Sequence, residues 1–323
     1  MGFIQKIKDV LRNPIRTFLL HFHHKKNISF KPSASKKQII ICFDGFSKHG
    51  GLVDRLKAMV SFYEASKLTG FEFKIYHKFP FMLEELLEPN QYNWIATEED
   101  MKWNPFKTRF LYVMLDFKFN PIKFFSNTSK SKIFVYNEID YLEKIFPQLN
   151  KEQLKERWSE TFNHLFKKSD FLNEKIQELN LVENRVAIHS RFTSILGDFI
   201  DVDVKVISKE EQVQLFKDLE KKIKEVAAAL AVKNVYIFSD SIIYLNYMKE
   251  NTDFIILEGK PLHPENVGHV FTLEEHAKSF LDFFAIAESK EIFLIRKDFM
   301  YPSAYPRYAS YLHNVKFTDI VID

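Results

Sequence analysis

Two rhythms of apolar and polar positions run along the chain. Continuous apolar runs, the mark of strands covered on both faces, occupy residues 36–43 (Lys-Lys-Gln-Ile-Ile-Ile-Cys-Phe), 109–115, 132–136, 184–189, 235–240, 253–257 and 291–295. Residues 71–76 alternate and suit a half-buried strand. Between them lies a period near 3.6. Leu52, Leu56, Met59, Val60 and Tyr63 share one helical face, as do Val213, Phe216, Leu219, Ile223 and Val226 within 209–230. A third helix spans 272–288, opened by Thr272-Leu-Glu-Glu275, which fits a capping box. The stretch 151–179 is helical and strongly charged, and 302–311 is a loop leading into a short helix.

Strand and helix therefore alternate in both halves, which predicts α/β architecture with mostly parallel sheets. The expected organisation is a basic amphipathic segment at 1–30, one Rossmann-like domain at 31–165 and a second at 166–323, the two facing across a cleft. A short linker is expected at 33–35. The region 80–107 is irregular and rich in aromatic and turn residues, including Trp94 and Trp103. Its rings can serve a carbohydrate-facing surface or simply cover a core.

In the first 26 residues Phe3, Ile4, Ile7, Val10 and Leu11 alternate with Lys6, Lys8 and Arg12. Pro14 is expected to interrupt this pattern, and Phe18-Leu19-Leu20 precedes a basic run through Lys26. Such a segment can lie on an anionic membrane surface, or pack on the protein's own body. No apolar stretch reaches about 18 residues, and a signal-peptide core is not evident, so the expected location is cytoplasmic, peripheral at most.

Composition narrows the function classes. The net charge of +3 over 323 residues argues against a nucleic-acid binder but leaves room for a local anion pocket. The single cysteine, Cys42, lies in an apolar run, which excludes an internal disulfide and a cysteine zinc cluster. His21, His23 and His24 cluster in a basic segment expected to be mobile, and Asp201-Val-Asp203 does not end a strand. Neither metal nor cofactor is expected.

The chemistry concentrates where strands end. The run Val186-Ala187-Ile188 leads into His189 and Arg191, with Gly197-Asp198 following. An Arg fork suits phosphate, and a His beside it can hydrogen-bond a ligand; alternatively Arg191 and Asp198 form a structural ion pair. Gly50-Gly51 lies between a strand and a helix, either as a receiver of anions or as a tight turn. Ser239-Asp240-Ser241 ends another strand, where Asp240 can face the same cleft or cap the next helix. Asp198 and Asp54 are the candidate general bases.

Three of these stretches, in order, resemble the fucosyltransferase superfamily of bacterial α1,2- and α1,6-fucosyltransferases and protein O-fucosyltransferases. They are Gly50-Gly51-Leu52-Val53-Asp54-Arg55, His189-Ser190-Arg191 with Gly197-Asp198, and Phe238-Ser239-Asp240. Phe192 stands where the superfamily carries a second Arg, and the final loop reads Tyr301-Pro302-Ser303-Ala304. The resemblance implies a GT-B-type fold and a metal-independent, inverting transfer of fucose from GDP-fucose to a bacterial surface glycan. It implies that Arg191 holds the donor diphosphate, that His189 contacts the nucleotide, and that Asp240 and the segment around Ser303 line the donor pocket; Ser239, Gly50 and Gly51 are the further candidate donor-binding residues. A different nucleotide sugar, or a non-catalytic binding protein on the same fold, are the alternatives.

Overall fold

A computed structural model describes residues 3–30, 36–47, 49–199, 206–262 and 271–322; the side chains of 3–12 are outside the description. The Asp201-Val-Asp203 run and the expected linker at 33–35 also fall outside it. The elements in chain order are α1 (Phe3–His23), β1 (Gln38–Phe43), α2 (Leu52–Thr69), β2 (Glu72–His77), β3 (Leu87–Pro89), β4 (Thr108–Tyr112), α3 (Pro121–Asn127), β5 (Lys132–Tyr136), α4 (Leu142–Ile145), α5 (Lys151–Leu165) and β6 (Phe166–Lys168). They continue with α6 (Asp170–Glu178), β7 (Val186–Ser190), α7 (Lys209–Ala229), β8 (Val235–Ser239), α8 (Ile242–Asn251), α9 (Leu273–Ala287), β9 (Glu291–Lys297), α10 (Tyr305–Leu312) and β10 (Lys316–Ile322). Two compact units divide the chain after Lys168.

The first unit holds a parallel sheet in the order β2-β1-β5-β4. Every residue of β1 is buried, because central parallel strands are covered on both faces. Ile40 and Cys42 face a cluster with Leu20, Trp103, Phe110 and Phe134, so the end of α1 is part of this core. Pro14 lies inside α1 and does not end it. Proline removes one N–H from the ladder, and the helix continues beyond it to the anchoring Leu20. The expected mobility of the His21–His24 region is thereby corrected: it is helical and docked. The aromatic loop covers the core. Trp94 and Trp103 are buried and donate to the carbonyls of Leu165 and His24, and Trp158 of α5 is equally buried.

The second unit holds a parallel sheet in the order β10-β9-β7-β8. Ile188, Ile237 and Ile295 pack with Leu215, Phe216, Leu219 and Ile223 of α7 and with Tyr244 and Met248 of α8. The capping box at Thr272 and Glu275 opens α9 as its spacing predicts. The strand expected at 253–257 is reduced to a bridge between Ile255 and Tyr236 beside β8.

Each sheet has a point where the chain reverses its direction of growth: between β1 and β5 in the first unit, and between β7 and β9 in the second. Loops leaving the carboxyl ends of such a strand pair diverge and open a crevice, where ligands of α/β sheets bind. Among the described residues, no helix is long and apolar enough to cross a membrane.

Candidate functional site

In the second unit β7 delivers His189 and Ser190 to this reversal point. Ser190 is buried and its hydroxyl donates to the carbonyl of Ile295 at 2.8 Å, extending the β7–β9 junction past the last paired residues, His189 and Leu294. His189 is 6% exposed, with the Tyr305 ring 5.6 Å from its own. Burial, and then the Arg191 charge, push its pKa down to about 3, so the ring is neutral at pH 7. Its Nδ1 has no hydrogen-bond partner. A buried polar atom without a partner costs about 1–3 kcal/mol, which a ligand hydrogen bond would recover.

Arg191 lies one residue beyond the strand. Its Nε is 3.7 Å from Asp240 Oδ2, and its guanidinium sits 5.2 Å from the ring centre of Tyr301. Asp240 itself accepts the backbone N–H groups of Phe192 and Thr193, each at 2.8 Å. Burial raises the Asp240 pKa, opposed by Arg191 and those two amides. Its oxygens thus hold the turn that carries Arg191, and Thr193 in that turn adopts φ 53°, a left-handed conformation strained for a β-branched residue. Asp240, expected at a donor pocket, is thus engaged with the backbone of the turn that carries Arg191.

Asp198 takes the capping role that Asp240 does not. Its Oδ2 accepts the Ser241 hydroxyl at 2.8 Å and the Ile243 N–H at 2.9 Å, at the N-terminus of α8. A carboxylate is favoured there by the helix dipole. Arg191 pairs with Asp240, so the alternative of an Arg191–Asp198 ion pair is also corrected. Ser239 accepts the Ser241 N–H at 3.1 Å. Ser303 is fully buried and accepts the Tyr305 N–H at 3.3 Å where α10 begins.

In the first unit Gly50 has φ 70°, and a Cβ there would lie 2.9 Å from Asp54 Cβ. Gly51 is the N-cap of α2. Asp54 completes that cap by accepting the Gly51 N–H at 3.3 Å, and pairs with Lys57 at 2.6 Å. Both candidate bases therefore occupy helix starts. Arg55, not singled out from the sequence, is 1% exposed and donates to the carbonyls of Gly50 and Phe79, with its Nη1 3.0 Å from His77 Nε2. It fastens the glycine loop to the end of β2. Tyr301 and Tyr305 were missed as well; a ring over a guanidinium leaves no fixed spacing to detect.

Arabidopsis thaliana FUT1, solved as a variant in complex with GDP, superposes with a TM-score of 0.54 at 12% identity, over 94% of this chain and 74% of that one. The α-1,6-fucosyltransferase NodZ, soaked with GDP-fucose, gives 0.52 at 13% identity, over 86% of this chain and 93% of that one. The chain has a GT-B-type fold of two Rossmann-like units. No protein-family model and no curated protein matches it in sequence. In this chain each Rossmann-like unit is built on a parallel four-stranded sheet.

Proposed function

We propose that the chain is a glycosyltransferase that moves fucose from GDP-fucose to a surface glycan, with inversion and without a metal in the transfer step. The observation that carries this reading is at the carboxyl ends of β7 and β9, the reversal point of the second sheet, where Arg191 is paired with Asp240 and the Nδ1 of buried His189 has no partner. As the sugar leaves, negative charge develops on the nucleoside diphosphate. A guanidinium fixed in advance stabilises that charge without reorganisation, and its planar fork matches phosphate oxygens. His189, neutral and buried, supplies a hydrogen bond rather than a charge. Asp198 and Asp54 are committed to caps, so the acceptor's proton is assigned to neither.

Arg191→Ala should abolish GDP release from GDP-fucose while far-UV circular dichroism stays unchanged; turnover like the wild type's would sink the assignment. A thermal-shift screen separates the alternatives, since stabilisation follows RT ln(1 + [L]/Kd). A shift with GDP alone supports fucose. A shift with UDP or CMP points to another nucleotide sugar, and no shift with any of the three favours a binding protein.

We further propose that the reaction takes place at the cytoplasmic face of an anionic membrane. On α1, Ile15, Phe18, Leu19 and Phe22 are 53%, 62%, 40% and 56% exposed at the spacing of one helical stripe. Arg16, Lys25 and Lys26 are exposed nearby. Vesicles containing phosphatidylglycerol should co-float with the wild type and lose a Phe18→Glu/Phe22→Glu variant. Equal flotation of both proteins would refute the membrane role of this stripe.

A further inference from the structure

The reversal point of the first unit, between β1 and β5, carries chemistry that the transfer reaction does not use. Asp44 follows β1, Tyr136 ends β5, and the end of α1 brings in His23 and His24. His23 Nε2 lies 2.9 Å and His24 Nε2 3.6 Å from Asp44 Oδ2, and the three ligand atoms fall within 4.8 Å of one another. A tetrahedral ion with bonds of about 2.0–2.1 Å spaces its ligands about 3.4 Å apart. The two histidine–Asp44 separations lie on either side of that value. His24 Nε2 is also 2.7 Å from the Tyr136 hydroxyl, and the ion would replace the proton in that hydrogen bond.

The surroundings are those of a built site. Tyr136 donates to Asp44 Oδ2 at 2.7 Å and the Phe46 N–H to Oδ1 at 3.1 Å, which orients the carboxylate. His24 stacks against Phe110 and Phe134, with centroids at 5.1 and 5.4 Å, which fixes its ring. A third imidazole, His49, is fully buried with Nε2 3.9 Å from Asp44 Oδ1. That nitrogen accepts the Gly45 N–H at 3.1 Å, and the ring's Nδ1 has no hydrogen-bond partner. One histidine would suffice to clamp a helix end to a carboxylate; here three converge on it.

We propose that His23, His24 and Asp44 bind one divalent transition-metal ion of the zinc class, with Tyr136 as an outer-shell donor. Two imidazoles and one carboxylate suit zinc, cobalt or nickel rather than magnesium or calcium. His23, with its side chain 36% exposed, leaves a side open to water and to entry of the ion. The bound ion would tie the end of α1 to the sheet.

Calorimetric titration of chelator-treated full-length protein with Zn²⁺ should show one site per chain, and Co²⁺ should give visible d–d bands. Magnesium should give neither. His23→Ala should weaken Zn²⁺ binding by at least about tenfold with unchanged circular dichroism, and Tyr136→Phe should weaken it by about tenfold as an outer-shell loss. His21→Asn, whose ring bonds the Thr17 carbonyl in its own helix, should bind as the wild type does. If Asp44→Asn fails to fold, the half-exposed His23 decides the matter. Absence of saturable Zn²⁺ binding, or binding undiminished in His23→Ala, overturns the site.

Discussion

His189 should make the second unit sensitive to acid, and the size of the effect follows from its burial. Its ordinary pKa is 6.5, and in the folded chain burial with Arg191 lowers it to about 3. A base depressed on folding contributes stability that is fully present above 6.5. The contribution is lost as pH falls, because the unfolded chain takes up a proton that the folded one refuses, and the loss levels off only near pH 3. Between pH 7 and pH 5 this linkage amounts to about 2 kcal/mol, or about a 30-fold rise in the opening constant. Hydrogen exchange of peptides covering β7 and β9, corrected for the intrinsic pH dependence, reads that opening directly. His189→Gln cannot titrate, so its opening free energy should fall about 2 kcal/mol less over the same interval. Equal pH slopes in the two proteins would refute the claim that His189 is neutral and desolvated.

Gly50→Ala forces a side chain into φ 70° with its Cβ 2.9 Å from that of Asp54; the left-handed conformation alone costs about 1–2 kcal/mol, and a urea midpoint unchanged from wild type would contradict the geometry. Asp198→Ala removes the acceptor for the Ser241 hydroxyl and the Ile243 N–H and should destabilise the second unit by about 1–2 kcal/mol. Its turnover should stay within a few-fold of wild type, whereas a general base would cost about a hundredfold or more. Phe192 fills the apolar cluster under α7 and α8, so Phe192→Arg should unfold the unit rather than raise turnover, as denaturant titration would show.

The buried strands were legible because parallel sheets demand continuous apolar runs: β1, β5, β7 and β8 are each buried along their whole length. The strand β10 was not anticipated. It is an edge strand whose residues Lys316, Asp319 and Val321 face solvent, so its apolar run is diluted. Residues 253–257 looked like a strand for the opposite reason, as apolar side chains that pack beside β8 with little ladder of their own. At the site, the residue types at the strand ends were readable, but their division of labour was not. Spacing showed that Asp198 and Asp240 both follow strands. Only the backbone shows that the amides of Phe192 and Thr193 converge on Asp240 and the start of α8 on Asp198. His23, His24 and Asp44 were likewise hidden, because their meeting depends on α1 running through Pro14.

The three tryptophans of the chain, Trp94, Trp103 and Trp158, are all buried in the first unit. Intrinsic indole emission is therefore a private signal of that unit, while the second unit is dark at the same wavelengths. A fluorescence melt that precedes or trails the circular-dichroism melt would resolve the two units without labels or truncation. A nucleotide that protects the second unit should move the circular-dichroism curve and leave the emission curve in place, whereas an ion held at the end of α1 should move the emission itself.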